Sequence, residues 1–230
     1  MKASDIKKDL KANITPGKAK VLMRFFKTGK GEYGEGDIFI GVMVPEIRKV
    51  AKKYKDIDLS ELSKVICSPI HEERACAAII CTYRKLDRDV VDFYLNNIKY
   101  MNNWDIIDLT CHKVLGYWMK DHPEMRELLY KFARSKSMWE RRISIISCFA
   151  FIRSGDFKDA LALAEILRDD EHDLIHKAVG WVLREIGKKD QKVEEKFLKK
   201  YYKKMPRTML RYAIERFDEP LRKSYLNGTQ

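Results

Sequence analysis

The chain has 230 residues, 45% of them apolar and 35% charged, with 11 Gly and 6 Pro. That mixture belongs to a folded chain rather than a disordered one, and so little Gly and Pro favours long helices over a turn-rich sheet protein. Lysine and arginine total 46 against 34 aspartates and glutamates, a formal charge of +12, which attracts polyanions such as DNA, RNA or an anionic membrane surface.

Amphipathic spacing predicts short helices over 5–12 and 17–27, the second with Pro16 near its start and Val21, Leu22, Phe25 and Phe26 at helical intervals. Residues 28–41, TGKGEYGEGDIFIG, break the pattern with five glycines in fourteen residues. They lack the GxxxxGK[ST] of a phosphate-binding loop. They read as a connector between helical layers, with a mobile basic-aromatic lip as the other reading. Helices are then expected over 45–54, 59–66, 71–84, 88–98, 103–119, 124–134, 138–152, 156–167, 172–187, 190–203, 206–217 and 219–226.

These helices alternate in pairs. Arg74, Asp108, Arg142, Lys177 and Arg211 recur at intervals of 34, 34, 35 and 34 residues, each inside the second helix of a pair. A period near 34 with two helices per unit is the mark of an α-solenoid, in which neighbouring pairs share one continuous core. The expected fold is therefore all-α, a HEAT-like helical-repeat solenoid, taken as one domain over 1–230. The repeated positions would line one face with four cations around one carboxylate, a surface suited to a polyanion.

Three stretches carry candidate chemistry. In NNWDIIDLTCHKVLGYW (102–118), Asn102 or Asn103 suits a helix cap, and Ile107, Cys111, Val114 and Trp118 form the apolar stripe. Trp104 and Asp108, one turn apart, share a face beside that stripe. An indole face and a carboxylate together attract a cationic ligand; a packing Trp and a capping Asp are the alternative. In SMWERRISIISCF (137–149), Trp139, Ile143 and Ile146 form the stripe, and Arg141 and Arg142 beside it suit a phosphate or a pairing with Glu140 or Asp108. In HDLIHKAVGWVLREIGKKD (172–190), Ile175, Ala178, Val182 and Ile186 face the core. Lys177, Trp181 and Arg184 take another face, which a deoxyribose–phosphate backbone would cover. Gly180 suits a close helix approach. His172 and His176 have metal-pair spacing without a third ligand nearby, and read as surface or capping residues. Beyond them, Lys199, Lys200, Lys203, Lys204, Arg207 and Arg211 form a basic stretch able to meet phosphates, or simply a solvated face.

The five cysteines, Cys67, Cys76, Cys81, Cys111 and Cys148, are odd in number and include no CxxC pair. They read as reduced, intracellular thiols, several of them among apolar helix residues, rather than as a zinc or iron–sulfur site. No signal peptide or membrane-length apolar run is seen, so a cytoplasmic chain without membrane association is expected.

The combination of NNWDIID (102–108), WERR (139–142) and KAVGWVLREIGK (177–188) resembles the AlkD-type DNA alkylation-repair glycosylases. GVMVPEIRKVAK (41–52), HEERACAA (71–78) and RTMLRYAIERF (207–217) support it, so the resemblance covers nearly the whole chain. It implies a HEAT-like repeat protein that binds duplex DNA and hydrolyses the N-glycosidic bond of cationic bases such as 3-methyladenine and 7-methylguanine; a monomer is expected, because one concave surface of a solenoid can bind a duplex unaided. It also implies no metal, no cofactor, and no need to flip the lesion into a tight pocket. Carried over by motif, Trp104, Asp108 and Trp181 line a concave cleft at the lesion, and Arg142, or alternatively Arg141, holds the DNA backbone. Lys177, Arg184, Arg211 and Arg74 are the remaining expected phosphate contacts. The alternative reading is a non-catalytic, structure-specific DNA-binding repeat protein.

Overall fold

The computed structural model describes residues 1–230. Every regular element is helical, and extended pairing is confined to an isolated parallel bridge between Ile38 and Ile70. The helices are α1 (Ala3–Ala12), α2 (Lys18–Phe25), α3 (Val44–Lys53), α4 (Leu59–Ile66), α5 (His71–Tyr83), α6 (Arg88–Asn96), α7 (Trp104–Cys111), α8 (Tyr117–Asp121), α9 (Glu127–Ala133), α10 (Met138–Ser147), α11 (Phe149–Arg153), α12 (Lys158–Leu167), α13 (Asp173–Gly187), α14 (Gln191–Tyr201), α15 (Arg207–Ala213) and α16 (Glu219–Asn227). Contacts divide the chain into two compact units, Met1–Thr110 and Cys111–Gln230.

In the first unit, α5 is the central helix. It packs on α3, α4 and α1, and all its residues from His71 to Cys81 are buried. An alanine-rich middle, with Ala75, Ala77 and Ala78, lets neighbouring helices approach closely on several sides. The Tyr94 hydroxyl of α6 meets the Thr110 hydroxyl of α7 at 2.6 Å, a buried polar link.

In the second unit, α9/α10 and α12/α13 form successive helical pairs, α14 packs on α13, and α10, α13 and α15 pack in series, α10 on α13 and α13 on α15. These stacked pairs are the HEAT-like solenoid arrangement expected from the period. The closest approaches fall at glycines. A Cβ at Gly180 would lie 2.4 Å from the carbonyl oxygen of Met209 and 2.5 Å from Cβ of Tyr212 on α15. A Cβ at Gly116 would lie 2.4 Å from the carbonyl oxygen of Ser147. The predicted stripe Ile175, Ala178, Val182 and Ile186 is fully buried.

Several expected helices are interrupted, and the one over 206–217 ends as a 3₁₀ turn, Ile214–Arg216, after α15. The helix over 103–119 contains a π-helical turn at His112–Gly116. The one over 124–134 begins as a 3₁₀ turn, Pro123–Arg126, before α9. The one over 138–152 divides at Cys148 into α10 and α11. The predicted core indoles are only partly enclosed: Trp118 and Trp139 are both half-buried, and the Trp118 Nε1–H reaches Met125 Sδ at 3.1 Å. Four of the five cysteines are buried, and Cys67 is exposed. The side chain of His172 caps α13 by accepting from the Leu174 N–H at 3.2 Å.

Candidate nucleic-acid interface

Trp104 opens α7, with Asn103 Oδ1 accepting its backbone N–H at 2.9 Å. The indole is half-buried and held from several sides. Its Nε1–H donates to the Tyr33 hydroxyl at 3.2 Å, and its ring packs edge-on against Phe25 at 5.9 Å and tilted on Phe26 at 5.2 Å. Phe26 stacks on Phe39 at 4.9 Å, and Phe39 stacks on the His71 ring at 4.2 Å. A continuous aromatic column thus runs from the half-exposed Trp104 down to a buried histidine. Asp108 lies one turn beyond Trp104 on the same helix and is half-buried.

The base of the column is ionic. His71 Nδ1 lies 2.8 Å from Asp37 Oδ2, and Nε2 lies 2.9 Å from Asp105 Oδ2. Ionised carboxylates only accept, so the imidazole carries both protons and donates twice. Burial opposes that charge, but the attraction of Asp105 and the hydrogen bonds to Asp105 and Asp37 outweigh it and push the pKa up to about 9. Asp37 is held below the usual carboxylate range despite its burial by the same His71 contact and by Arg74.

This geometry corrects the expectation for Arg74. The side chain is buried, and its guanidinium donates to Asp37 at 2.6 Å, to Asn102 Oδ1 at 3.1 Å and to the carbonyls of Ser68 and Tyr100 at 2.9 and 3.0 Å. Every nitrogen is committed inside the protein, so none is left to meet a phosphate. The end of the glycine-rich segment, from Asp37 to Val42, is likewise anchored, as a connector would be. Asp37 ties it to α5, and the buried Glu72 carboxylate accepts from the backbone N–H groups of Ile40, Gly41 and Val42 at 2.7–3.2 Å.

In the second unit, the tandem arginines also turn inward. Arg142 is buried, and its Nη1 donates to the Leu174 carbonyl at 2.5 Å. Arg141 pairs with Asp170 at 2.6 Å and donates to the carbonyls of Ser135 and Lys136. These contacts fix the start of α13 and the turns before α10 and α13. The expected row of surface cations is therefore confined to the later repeats. Lys177 is half-buried and pairs with Asp173 at 2.7 Å, Arg184 pairs with Glu215, and Arg211 is exposed. The basic stretch Lys199, Lys200, Lys203, Lys204 and Arg207 is exposed throughout.

Trp181 is half-buried, tilted on Phe149 with ring centroids 4.6 Å apart. The two rings wall a pocket of about 500 Å³ that also touches His112, Ile152, Arg153 and the end of α13. Sequence reasoning missed this pocket because Phe149 reads as one more apolar residue of a long helix; only the break at Cys148 sets it apart. It also missed the Asp37–His71–Asp105 ladder, although both intervals are 34 residues, the repeat period itself.

An all-α repeat fold, a strongly basic chain, and an indole and a carboxylate on one helix face are features of a helical-repeat protein suited to a polyanionic partner. More particularly, the chain belongs to the DNA alkylation repair enzyme family, which matches residues 6–217. Among solved structures it is similar to a "predicted DNA alkylation repair enzyme" from Enterococcus faecalis, with a TM-score of 0.72 and 18% identity over 90% of this chain and 98% of that one. It is also similar to AlkD2 from Streptococcus mutans, with a TM-score of 0.59 and 18% identity over 94% of this chain and 97% of that one. At such identity the two structures speak for the fold alone. No curated protein sequence matches the chain.

Proposed function

We propose that this protein is a DNA glycosylase that releases cationic alkylated bases, such as 3-methyladenine and 7-methylguanine, from duplex DNA. The observation that carries the reading is the pairing of Trp104 and Asp108 one turn apart on α7, with the indole held by Tyr33, Phe25 and Phe26. Membership of the alkylation-repair family supplies the context.

The chemistry follows from charge. Alkylation leaves the base positively charged, so when the C1′–N bond breaks the base departs with the bonding electrons as a neutral molecule and needs little acid catalysis. The sugar is left as an oxocarbenium-like cation, as in glycoside hydrolysis. The Asp108 carboxylate stabilises that cation and orients the water that adds to C1′, taking up its proton. The Trp104 face favours the same charge. Trp181, in the second unit, supplies an indole for the duplex to cover. Phosphates meet Lys177, Arg184 and Arg211, which position without reading sequence. Arg141 and Arg142 serve indirectly, by fixing the helix ends beside them.

The test is single-turnover release of 7-methylguanine with enzyme in excess, alongside a DNA-binding titration and a melting curve. Asp108→Asn keeps size and hydrogen bonding but removes the charge. It should slow release by about 100-fold or more while retaining DNA affinity, because the loss falls on the transition state. Wild-type release in the variant would remove Asp108 from the chemistry. No release from the wild-type protein, with duplex still bound, would leave a structure-specific binding protein in its place.

A further inference from the structure

The lysines of α14 have no part in base release, and their geometry is more regular than their number alone implies. Lys192, Lys196 and Lys199 lie on α14 at i, i+4 and i+7, and Lys203 follows at i+11, carried on by helical dihedrals at Tyr202. At about 100° per residue these four positions fall within about 60° of one another, and the buried residues of the helix, Glu194, Phe197, Leu198 and Tyr201, centre about 180° away. α14 packs on α13, so the lysines form a straight stripe on the side of α14 turned away from that helix. All four are exposed, and none makes an ion pair, whereas the neighbouring Lys188 pairs with Glu185 at 2.7 Å and Lys200 with Glu165 at 3.7 Å. Glu195 borders the stripe, its Oε1 accepting from the Gln191 amide at 2.9 Å.

Spacing and surroundings select the occupant. At a rise of about 1.5 Å per residue the stripe spreads its cations over about 16 Å, and one strand of a duplex presents a phosphate about every 3.4 Å along its axis. A repeating polyanion meets every lysine at once, where a small anion meets one or two. No apolar or aromatic side chain of α14 is exposed, so the helix offers nothing to stack on an unpaired base and nothing to bury among lipid tails. What remains is a phosphate backbone held without reading sequence. Lys177 and Trp181, which the proposed function lays against DNA, sit on α13, the helix that the stripe faces away from. We propose that the stripe is a second, non-catalytic duplex-binding face, which holds another segment of duplex by its phosphates. The proposal rests on the reading of the chain as a duplex-binding protein, and it makes one chain bivalent. A segment held on the stripe stays at high effective concentration beside the first, ready to be taken up when the first is released.

The experiment counts duplexes per chain. The wild-type protein and a variant combining Lys192→Gln, Lys196→Gln, Lys199→Gln and Lys203→Gln are titrated at low salt with a labelled duplex little longer than one helical turn. The masses of the complexes are read by analytical ultracentrifugation, and melting curves and single-turnover base release are recorded for both. The expected result is two duplexes per wild-type chain and one per variant chain, with melting temperature and base release unchanged. With four phosphates neutralised, the second association should weaken by about 150-fold between about 50 and 200 mM salt. Lys196→Gln with Lys203→Gln should halve the slope of that salt dependence, and this double variant carries the test if the fourfold one melts early. One duplex per wild-type chain would overturn the inference, as would two per variant chain. So would a complex of two chains with two duplexes, which dimerisation explains, or a variant that loses its first duplex as well, since the stripe would then belong to the first contact. Cosedimentation with phosphatidylserine vesicles tests the other polyanionic surface: vesicle binding lost in the variant, with the duplex count unchanged, would assign the stripe to a membrane and not to DNA. Base release with a single duplex per chain removes the second face and leaves the glycosylase; two duplexes per chain without base release do the reverse.

Discussion

His71 and Glu194 are two buried ionisable groups whose titration by folding can be measured directly. His71 is an imidazolium between Asp37 and Asp105, with its pKa raised to about 9. Its folded value exceeds its unfolded one, so its contribution is complete below about pH 6.5 and drains away as pH rises through about 9, on the order of 3 kcal/mol in all. Glu194 is buried, with Oε2 close against Gly187. Burial, with Glu195 adding to it against the pull of Arg184, pushes its pKa up to about 9. Folding keeps this carboxyl neutral while the unfolded chain ionises it, so stability falls between about pH 4.5 and 9. Both groups tilt the stability curve the same way, and the variants separate them. Denaturant unfolding from pH 5 to 9.5 should show a shallower decline in Glu194→Gln below pH 8. His71→Gln should be less stable than wild type at pH 6, by a margin that narrows as the pH approaches 9.5. A constant margin across that range would show that His71 is neutral in the fold. Neither group was legible in the chain beforehand. In HEERACAA the polar residues His71, Glu72, Glu73 and Arg74 are all buried, because their partners arrive from other repeats and from the glycine-rich segment.

At the scale of elements, the period near 34 located the paired helices and their buried faces but not the interruptions. Hydrophobic spacing continues through the π turn at His112–Gly116 and through the break at Cys148, because apolar residues fill both sides of each. Close approach was legible at one point, Gly180, where α13 meets α15. Gly180→Ala should gain about 1 kcal/mol of helix propensity and lose more than that. The added Cβ meets the backbone of Met209 and Cβ of Tyr212, neither of which is a flexible tip, and overpacking of this kind costs about 1–3 kcal/mol. A lower denaturation midpoint for the alanine variant is the expected outcome, and a higher one would show that α15 can shift away. The Glu72 staple is a similar case between a helix and a connector. Its carboxylate answers three successive N–H groups, and Glu72→Ala should cost about 2 kcal/mol or more by leaving buried donors unmet.

Across the whole molecule, the charge of +12 is a statement about partners, and the structure sorts which cations can act on them. Arg74 and Arg142 fell on the 34-residue line with Lys177 and Arg211, so the sequence offered them as equals. Burial separates them: the first two are internal ties, while Lys177 is half-exposed and Arg211 exposed. Sequence spacing reports which face of a helix a residue occupies, but not whether a neighbouring repeat has already claimed its guanidinium. The distinction has a thermodynamic signature. Binding to undamaged duplex should weaken steeply with salt, because each phosphate contact releases counterions and adds about 0.9 to the slope of log K against log salt. Lys177→Ala and Arg211→Ala should each reduce that slope by about 1 and leave the melting temperature nearly unchanged, since exposed pairs such as Lys177–Asp173 contribute little. Arg74→Gln should do the opposite. It removes one partner of a buried ion pair, at about 3–5 kcal/mol of stability, and leaves the slope of the folded protein where it was. A reduced slope in the Arg74 variant, measured well below its melting temperature, would show that this guanidinium reaches DNA after all. An unchanged slope in both surface variants would move the duplex to another face of the molecule.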